Sequence, residues 1–299
     1  MRSKSLIVLL AVAALAFGVF AASAQGPDDE VRGAFLSTRP KTTNTNAPTR
    51  RRRTPRPANS NSVGTKNTNS SSVNSNTTAP GNSRPSGNNL KALGLGYTLF
   101  MRGANGRSVR VEPDREFRAG DRVRIALEPN VDGYLYIFHA EGVGAPEMIY
   151  PDSRLDDGNN WIEAHVPMEV PSSEEADERL RWFTFDANPA NEHLYVVITR
   201  EPLQSVPAGS DLVTLCTTSK DKCPWHPSAE VWAQVQDATK AEVKVVTSKV
   251  FGVPQSEKEK IATTRGLGLD KTAPQPAVIR MNASTNSALL VAVLDLIHK

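Results

Sequence analysis

The chain has 299 residues, 39% of them apolar and 6% aromatic, with only 2 cysteines, a composition that excludes a disulfide-rich miniprotein and a collagen. Its 35 Lys and Arg nearly balance 32 Asp and Glu, yet 14 basic and no acidic residues fall between Glu30 and Glu112, while from Glu112 onward 29 acidic residues face 19 basic ones. A basic arm therefore precedes an acidic body.

At the N-terminus, Arg2 and Lys4 precede an apolar run from Leu6 to Phe20, and the small residues Ala22, Ser23 and Ala24 follow. That order is the pattern of a secretory signal peptide, residues 1–24, with cleavage expected after Ala24. The apolar run falls short of the ~20 residues that span a bilayer, and no cysteine near the cut offers a lipid anchor. The expected destination is periplasmic or secreted, with no transmembrane span after cleavage, and an oxidising compartment suits a disulfide.

Residues 25–40 form a short segment in which Val31, Phe35 and Leu36 either dock on the body as an added strand or stay unstructured. From Lys41 to Leu90 the chain contains 11 Asn, 9 Thr, 8 Ser and 5 Pro, and its only large apolar side chains are Val63, Val73 and Leu90. Such a segment buries too little apolar surface to offset its ordering entropy, so residues 41–90 read as a disordered linker. As a flexible coil its ends would lie on the order of 40 Å apart, freeing the body to move relative to the N-terminus. Within it, Arg50, Arg51, Arg52, Arg53 and Arg56 make the densest charge run. Behind a signal peptide nucleic acid is out of reach. The run is either a solvated stretch of linker or a contact to an anionic envelope surface, at roughly 1 kcal/mol per basic residue near anionic lipid.

After residue 91 short apolar runs alternate with turns. Ser108 to Val111 reads as a strand; Arg122 to Glu128 alternates strictly, with Val123, Ile125 and Leu127 on one face. Tyr134 to His139 is apolar on both faces and reads as a central strand covered on two sides. Further strands are expected at Glu147 to Tyr150, Trp161 to Val166, Leu180 to Phe185, Leu194 to Thr199 and Ala288 to Ile297. Eight turn-separated strands with few intervening helices make the fold mainly β, an antiparallel β-sandwich over residues 91–299. The segment at about 204–286 is read as a folded insertion with a small helix over Ala229 to Ala238, N-capped by Ser228, and edge strands near Val243, Val245 and Val250.

No catalytic signature stands out. Cys216 and Cys223 enclose a polar tip suited to a tight disulfide; free thiols and a metal site with His226 are the alternatives, and no second Cys or His cluster completes the latter. His139, His165, His193, His226 and His298 fit no ligand spacing. Ser219 to Lys222 matches S-x-x-K without its partner motifs, and the G-x-G pieces at Gly94 to Gly96 and Gly266 to Gly268 lack a following helix. Asp152, Asp156 and Asp157 depart from a calcium-loop spacing, and Glu174, Glu175, Asp177 and Glu178 read as a surface loop. Cofactor and metal are expected to be none.

The run from Phe117 to Asp152, with the Gly120-Asp121 turn, the Asn130 to Gly133 turn, the Gly133 to Tyr136 strand and the strand ending in Tyr150-Pro151, resembles the bacterial domain of unknown function 4384. The resemblance covers about residues 95–203 plus a closing strand at 287–298. It implies a noncatalytic β-rich module of exported or envelope-associated proteins and carries over no site residues. The expected function is an exported binding or interaction module of the cell envelope, with an envelope protein or an anionic surface as partner. In it Tyr134, Tyr136, Trp161 and Trp182 pack the core. The alternative is an envelope hydrolase drawing its acid and base from Asp156, Asp157 and Glu163, which requires two of those carboxylates to converge in a concave site.

Overall fold

The alternation in RVRIALE is realised as a strand in which Val123, Ile125 and Leu127 are at most 1% exposed. The structure is a computed structural model that describes residues 26–41 and 90–299. The expected signal peptide, nearly all of the linker and the five linker arginines lie outside the described residues.

The described residues start with helix α1 (Pro27–Ser37), followed by strands β1 (Gly94–Arg102), β2 (Ser108–Val111), β3 (Glu116–Phe117), β4 (Arg122–Pro129) and β5 (Gly133–Glu141). Next come β6 (Glu147–Tyr150), β7 (Trp161–Ile162), β8 (Met168–Val170), β9 (Phe183–Thr184) and β10 (Asn191–Thr199). The remainder is α2 (Ser210–Thr218), α3 (Ala229–Ala238), β11 (Val243–Thr247), α4 (Glu257–Thr264), β12 (Val278–Asn282) and β13 (Leu289–His298). One sheet has the order β11-β12-β1-β4-β8, with β2 also on β1 and β9 on β4; the other has the order β3-β13-β10-β5-β6, with β7 on β5. Pairing is antiparallel apart from the two-residue β3–β13 ladder, which is parallel. The fold is thus mainly β, two sheets packed face to face as expected.

Between the sheets lies the principal core, which includes Leu95, Tyr97, Ile125, Ile137, Val196 and Leu294. Both outer faces are apolar too. On the second sheet Tyr136, Phe138, Val197 and Val291 point outward and pack under α2 and α3, against Leu212, Trp232 and Val235. Trp232 meets Phe138 and Tyr195 edge to face, and Ser228 caps α3 by accepting from Val231 N at 3.3 Å, as the sequence indicated. The expectation that β5 is covered on two sides holds. Residues 204–286 also supply β11 and β12, so part of this segment extends the first sheet through the β1–β12 pairing.

The N-terminal segment differs from its expected form. It is a helix, not an added strand, because Pro27 at the start and Asp28, Asp29 and Glu30 in the first turn suit a helix N-terminus. Val31 and Phe35, four residues apart, then share one face. That face packs on Val246, Ile279 and Met281, the outer face of the first sheet. Gly94 and Gly96 make room: a Cβ at either would lie 3.0 or 3.1 Å from the Phe35 ring, and at Gly96 it would collide with Pro276. The glycines noted as G-x-G therefore seat an aromatic ring inside a strand.

Behind the helix, Arg39 is buried and donates from Nε and Nη2 to the two oxygens of Glu128, at 2.7 and 2.6 Å. Its remaining donors reach the carbonyls of Ala273 at 2.9 Å and Pro274 at 3.1 Å. His165 Nδ1 lies 2.7 Å from the same carboxylate, and the Thr38 hydroxyl, which donates to Phe35 O, lies 2.6 Å from its Nε2. The segment before residue 42 is therefore held on the same body as the segment after residue 89. Residues 42–89, outside the described residues, thus connect two points of one body.

Arg39→Ala leaves the Glu128 carboxylate buried without its guanidinium and is expected to destabilise the protein by ~3–5 kcal/mol. Phe35→Ala should cost about 3–5 kcal/mol through the cavity it opens. Lys244→Ala removes only an exposed 3.9 Å pair with Glu30, and less than about 1 kcal/mol is expected. Urea denaturation of the three variants gives the comparison.

Candidate functional site

Strands β6 and β8 stand at the ends of their sheet orders, and both border one gap in the surface. The gap opens into a groove of about 1120 Å³, lined by both strands, by α2, by the loop from residue 171 to 183 and by the end of α4. Its apolar lining includes Met148, Tyr150, Trp182, Leu212 and Trp225. Each of the three cis X-Pro bonds among the described residues, at Pro151, Pro171 and Pro224, borders it.

One wall is a strap held by a disulfide. Cys216 near the end of α2 is bonded to Cys223, with Cα atoms 5.6 Å apart, which settles the sequence alternatives in favour of the local disulfide. The strap then runs along β6: Met148 N donates to Trp225 O at 2.7 Å, and His226 Nδ1 donates to Pro146 O at 3.0 Å. Thus His226 is engaged with backbone, and the edge of β6 is covered at Met148. At its other end, α2 is fixed by Gly209 N, which donates to Gly158 O at 2.7 Å.

Seven carboxylates line the groove, against Arg154 and Lys220 as basic side chains. Asp152 takes two parallel bonds from Arg154, at 2.9 and 2.5 Å, and this pairing raises the guanidinium above its ordinary range. Glu169 accepts from Gln255 Nε2 at 2.6 Å and lies 3.4 Å from Arg124. Burial lowers the Arg124 pKa, and its guanidinium sits 4.0 Å over the Trp182 ring while donating to Arg181 O. On the adjoining loop, bonds from the Arg179 side chain and backbone hold Asp177 at about 2.

The residues singled out in the sequence separate into several places. Asp156 and Glu163 both line the groove, whereas Asp157, next along a tight turn with φ of 55°, does not. Glu174 and Glu175 line it as well; Glu178 reaches Arg102 at 3.2 Å. Among the described residues no three His, Cys, Asp or Glu side chains converge as a metal ion would require. His139 lies between Glu192 and Glu147, at 2.5 and 3.4 Å, His193 faces Asp295 at 2.6 Å, and His298 is buried beside Phe185. Ser219 to Lys222 is the polar tip of the disulfide loop, where residues 220–222 form a short 3-10 turn. Tyr136 is fully buried and receives Leu203 N at 3.0 Å; Tyr134 and Trp161 meet edge to face. Arg39 and Glu128 were not anticipated, since an isolated Arg and a Glu closing a strand carry no spacing signal.

Residues 116–202 match the model of a family described as a domain of unknown function (DUF4384). The match runs from β3 through β10, so it contains both groove-edge strands but neither β1 nor β13. No curated protein and no solved structure matches the chain.

Replacing both Cys216 and Cys223 by Ser opens an eight-residue loop and is expected to lower stability by roughly 2.5 kcal/mol in the chain-entropy account. Denaturation with and without reductant tests this: reductant should destabilise the parent protein to the level of the double variant and leave that variant unchanged.

Proposed function

We propose that the chain is an exported, non-catalytic β-sandwich module that binds a partner in the bacterial cell envelope, and that the partner occupies the groove between β6 and β8. The observation that carries this reading is the groove itself: a concave, apolar-floored surface built where both sheets end, walled by a disulfide-pinned strap. Apolar concavities with a few polar groups are where ligands bind. Export is supported by the charged, apolar and small-residue order of residues 1–24 and by the disulfide, a bond of oxidising compartments. The resemblance of residues 116–202 to a domain of unknown function agrees with a module and adds no activity.

The hydrolase reading has one observation on its side, the presence of both Asp156 and Glu163 along the groove. It needs a proton donor and a base flanking a scissile bond, whereas binding needs only the shape and chemistry already described.

Thr217 lies exposed on the α2 wall and bonds only to carbonyls of its own helix, so Thr217→Trp fills the groove without touching the core. Envelope extracts passed over the mature chain should yield a partner that Thr217→Trp loses and that Val143→Ser, at the exposed tip between β5 and β6, retains. Equal capture by all three would place the binding surface elsewhere. Hydrolysis of an envelope fraction by the parent chain, abolished by Glu163→Gln, would establish the enzyme in place of the module.

A further inference from the structure

The edges of the two sheets are finished differently. On the second sheet the strap bonds to β6 at Met148. On the first, β11 ends the sheet order and pairs, among the described residues, with β12 alone. The ladder tells which of its backbone groups are left over. Residues 242 and 283 stand opposite in the β11–β12 register and are bonded, Ala283 N to Glu242 O at 3.0 Å; so are 248 and 277, Ser248 N to Ala277 O at 2.8 Å. In an antiparallel pair, bonded positions alternate with positions whose N–H and C=O point the other way. Lys244 and Val246 are therefore bonded to β12, while Val243, Val245 and Thr247 turn their N–H and C=O outward. Among the described residues no group bonds to them there.

The side chains along this edge are apolar for an exposed position. Val245 is 46% exposed. Strands β12 and β2 share one side of β1, since β4 takes the other, and the edge continues beyond β11 along β2, where Arg110 N donates to Val253 O at 3.1 Å. Val253 is 51% exposed. An open edge with β-branched side chains is a template for another strand. The charge within β11 is Lys244, and Glu30 of α1 lies 3.9 Å from it.

We infer that β11 is the interface between two copies of this chain, paired antiparallel about Val245 so that the first sheet runs on from one copy into the other. The edge is self-complementary in three respects. With Val245 opposite Val245 of the second copy, Val243 falls opposite Thr247, and every outward N–H meets an outward C=O. On the side facing the sandwich interior the seam is then lined by Val243, Val245 and Thr247 of each copy, which are uncharged and mostly β-branched, the kind of cross-strand pair that stabilises a sheet. On the other side each copy brings Lys244 with its own Glu30, so the seam carries no net charge. A two-fold pairing also uses up the edge and closes the assembly at two chains. None of residues 243–247 lines the groove, so this surface is separate from the one proposed above.

Sedimentation equilibrium of the mature full-length chain, from about 1 to 300 μM, the range suited to a small interface, should show a monomer–dimer equilibrium. Val245→Pro removes an outward N–H and spares the bonds to β12, as proline does on an edge strand; Val245→Lys sets like charges opposite each other. Each is expected to weaken dimerisation by about tenfold or more and to leave the circular dichroism spectrum of the parent. Under oxidation Val245→Cys should give a disulfide-linked dimer and Thr247→Cys should not, because two copies of residue 247 stand about 13 Å apart along the strands, too far for a disulfide. A monomer up to about 300 μM, or a dimer that both Val245 variants leave undiminished, overturns the interface. Equal cross-linking at residues 245 and 247 overturns the antiparallel register, and loss of the fold in Val245→Pro overturns the outward placing of its N–H.

Discussion

A sandwich whose sheets are apolar on their outer as well as their inner faces cannot be finished with two layers. Tyr136, Phe138, Val197 and Val291 on one outside, and Ile279, Met281 and the notch above Gly94 and Gly96 on the other, would face water in a bare pair of sheets. That constraint organises the chain. Helices α2 and α3 cover the second sheet and α1 covers the first, so the molecule stacks helix, sheet, sheet and helix around three apolar clusters. Even the groove follows from it, since α2 comes to lie beside β6 because its Leu212 is needed on the outer face of the second sheet.

The first sheet recruits its cover from far away in sequence. A buried guanidinium is unfavourable unless its donors are met, and Arg39 meets Glu128 with a two-bond fork and gives its other donors to carbonyls. Glu128 in turn serves both Arg39 and His165, and His165 touches Thr38 and the edge of Phe35. The polar network and the apolar notch therefore recognise the same short stretch, residues 31–39, with different chemistry. This is how a helix of 11 residues, marginal by itself, is kept in one place. The family match ends at residue 202, but the architecture does not: β10 pairs with β13 over its full length, and β1 forms the middle of the first sheet.

What was legible in the sequence was mostly periodic. The alternation of Arg122 to Glu128 and the two-faced run from Tyr134 to His139 translate directly into β4 and β5, and Ser228 with Val231 and Val235 into α3. Trp161 to Val166 and Leu180 to Phe185 shrank to two-residue pairings, because His165 with φ of 57° turns the chain in the first and a 3-10 turn over Glu178–Arg181 takes up the start of the second. Strand β1 escaped notice because its glycines weaken a strand signal, and they are there for Phe35. Helix α4 escaped although Ser256 and Glu259 form a capping box. Neither alternative for Val31, Phe35 and Leu36, an added strand or an unstructured stretch, took account of the acidic first turn before them, which suits a helix. The groove had no signature to read: its walls come from residues around 150, 170, 215 and 265, and only register and packing bring them together.

The docking of α1 also sets an order of events in time. A ribosome makes the chain from its N-terminal side, so α1 is synthesised long before Val246, Ile279 and Met281, the residues it rests on, and before the carbonyls of Ala273 and Pro274 that take up Arg39. The first of the described elements to be synthesised is thus among the last to find its place. Until then Val31 and Phe35 stay uncovered, and so does the outer face of the first sheet. Completion of the N-terminal contact reports that the first sheet, through residue 281, has been made and folded behind it.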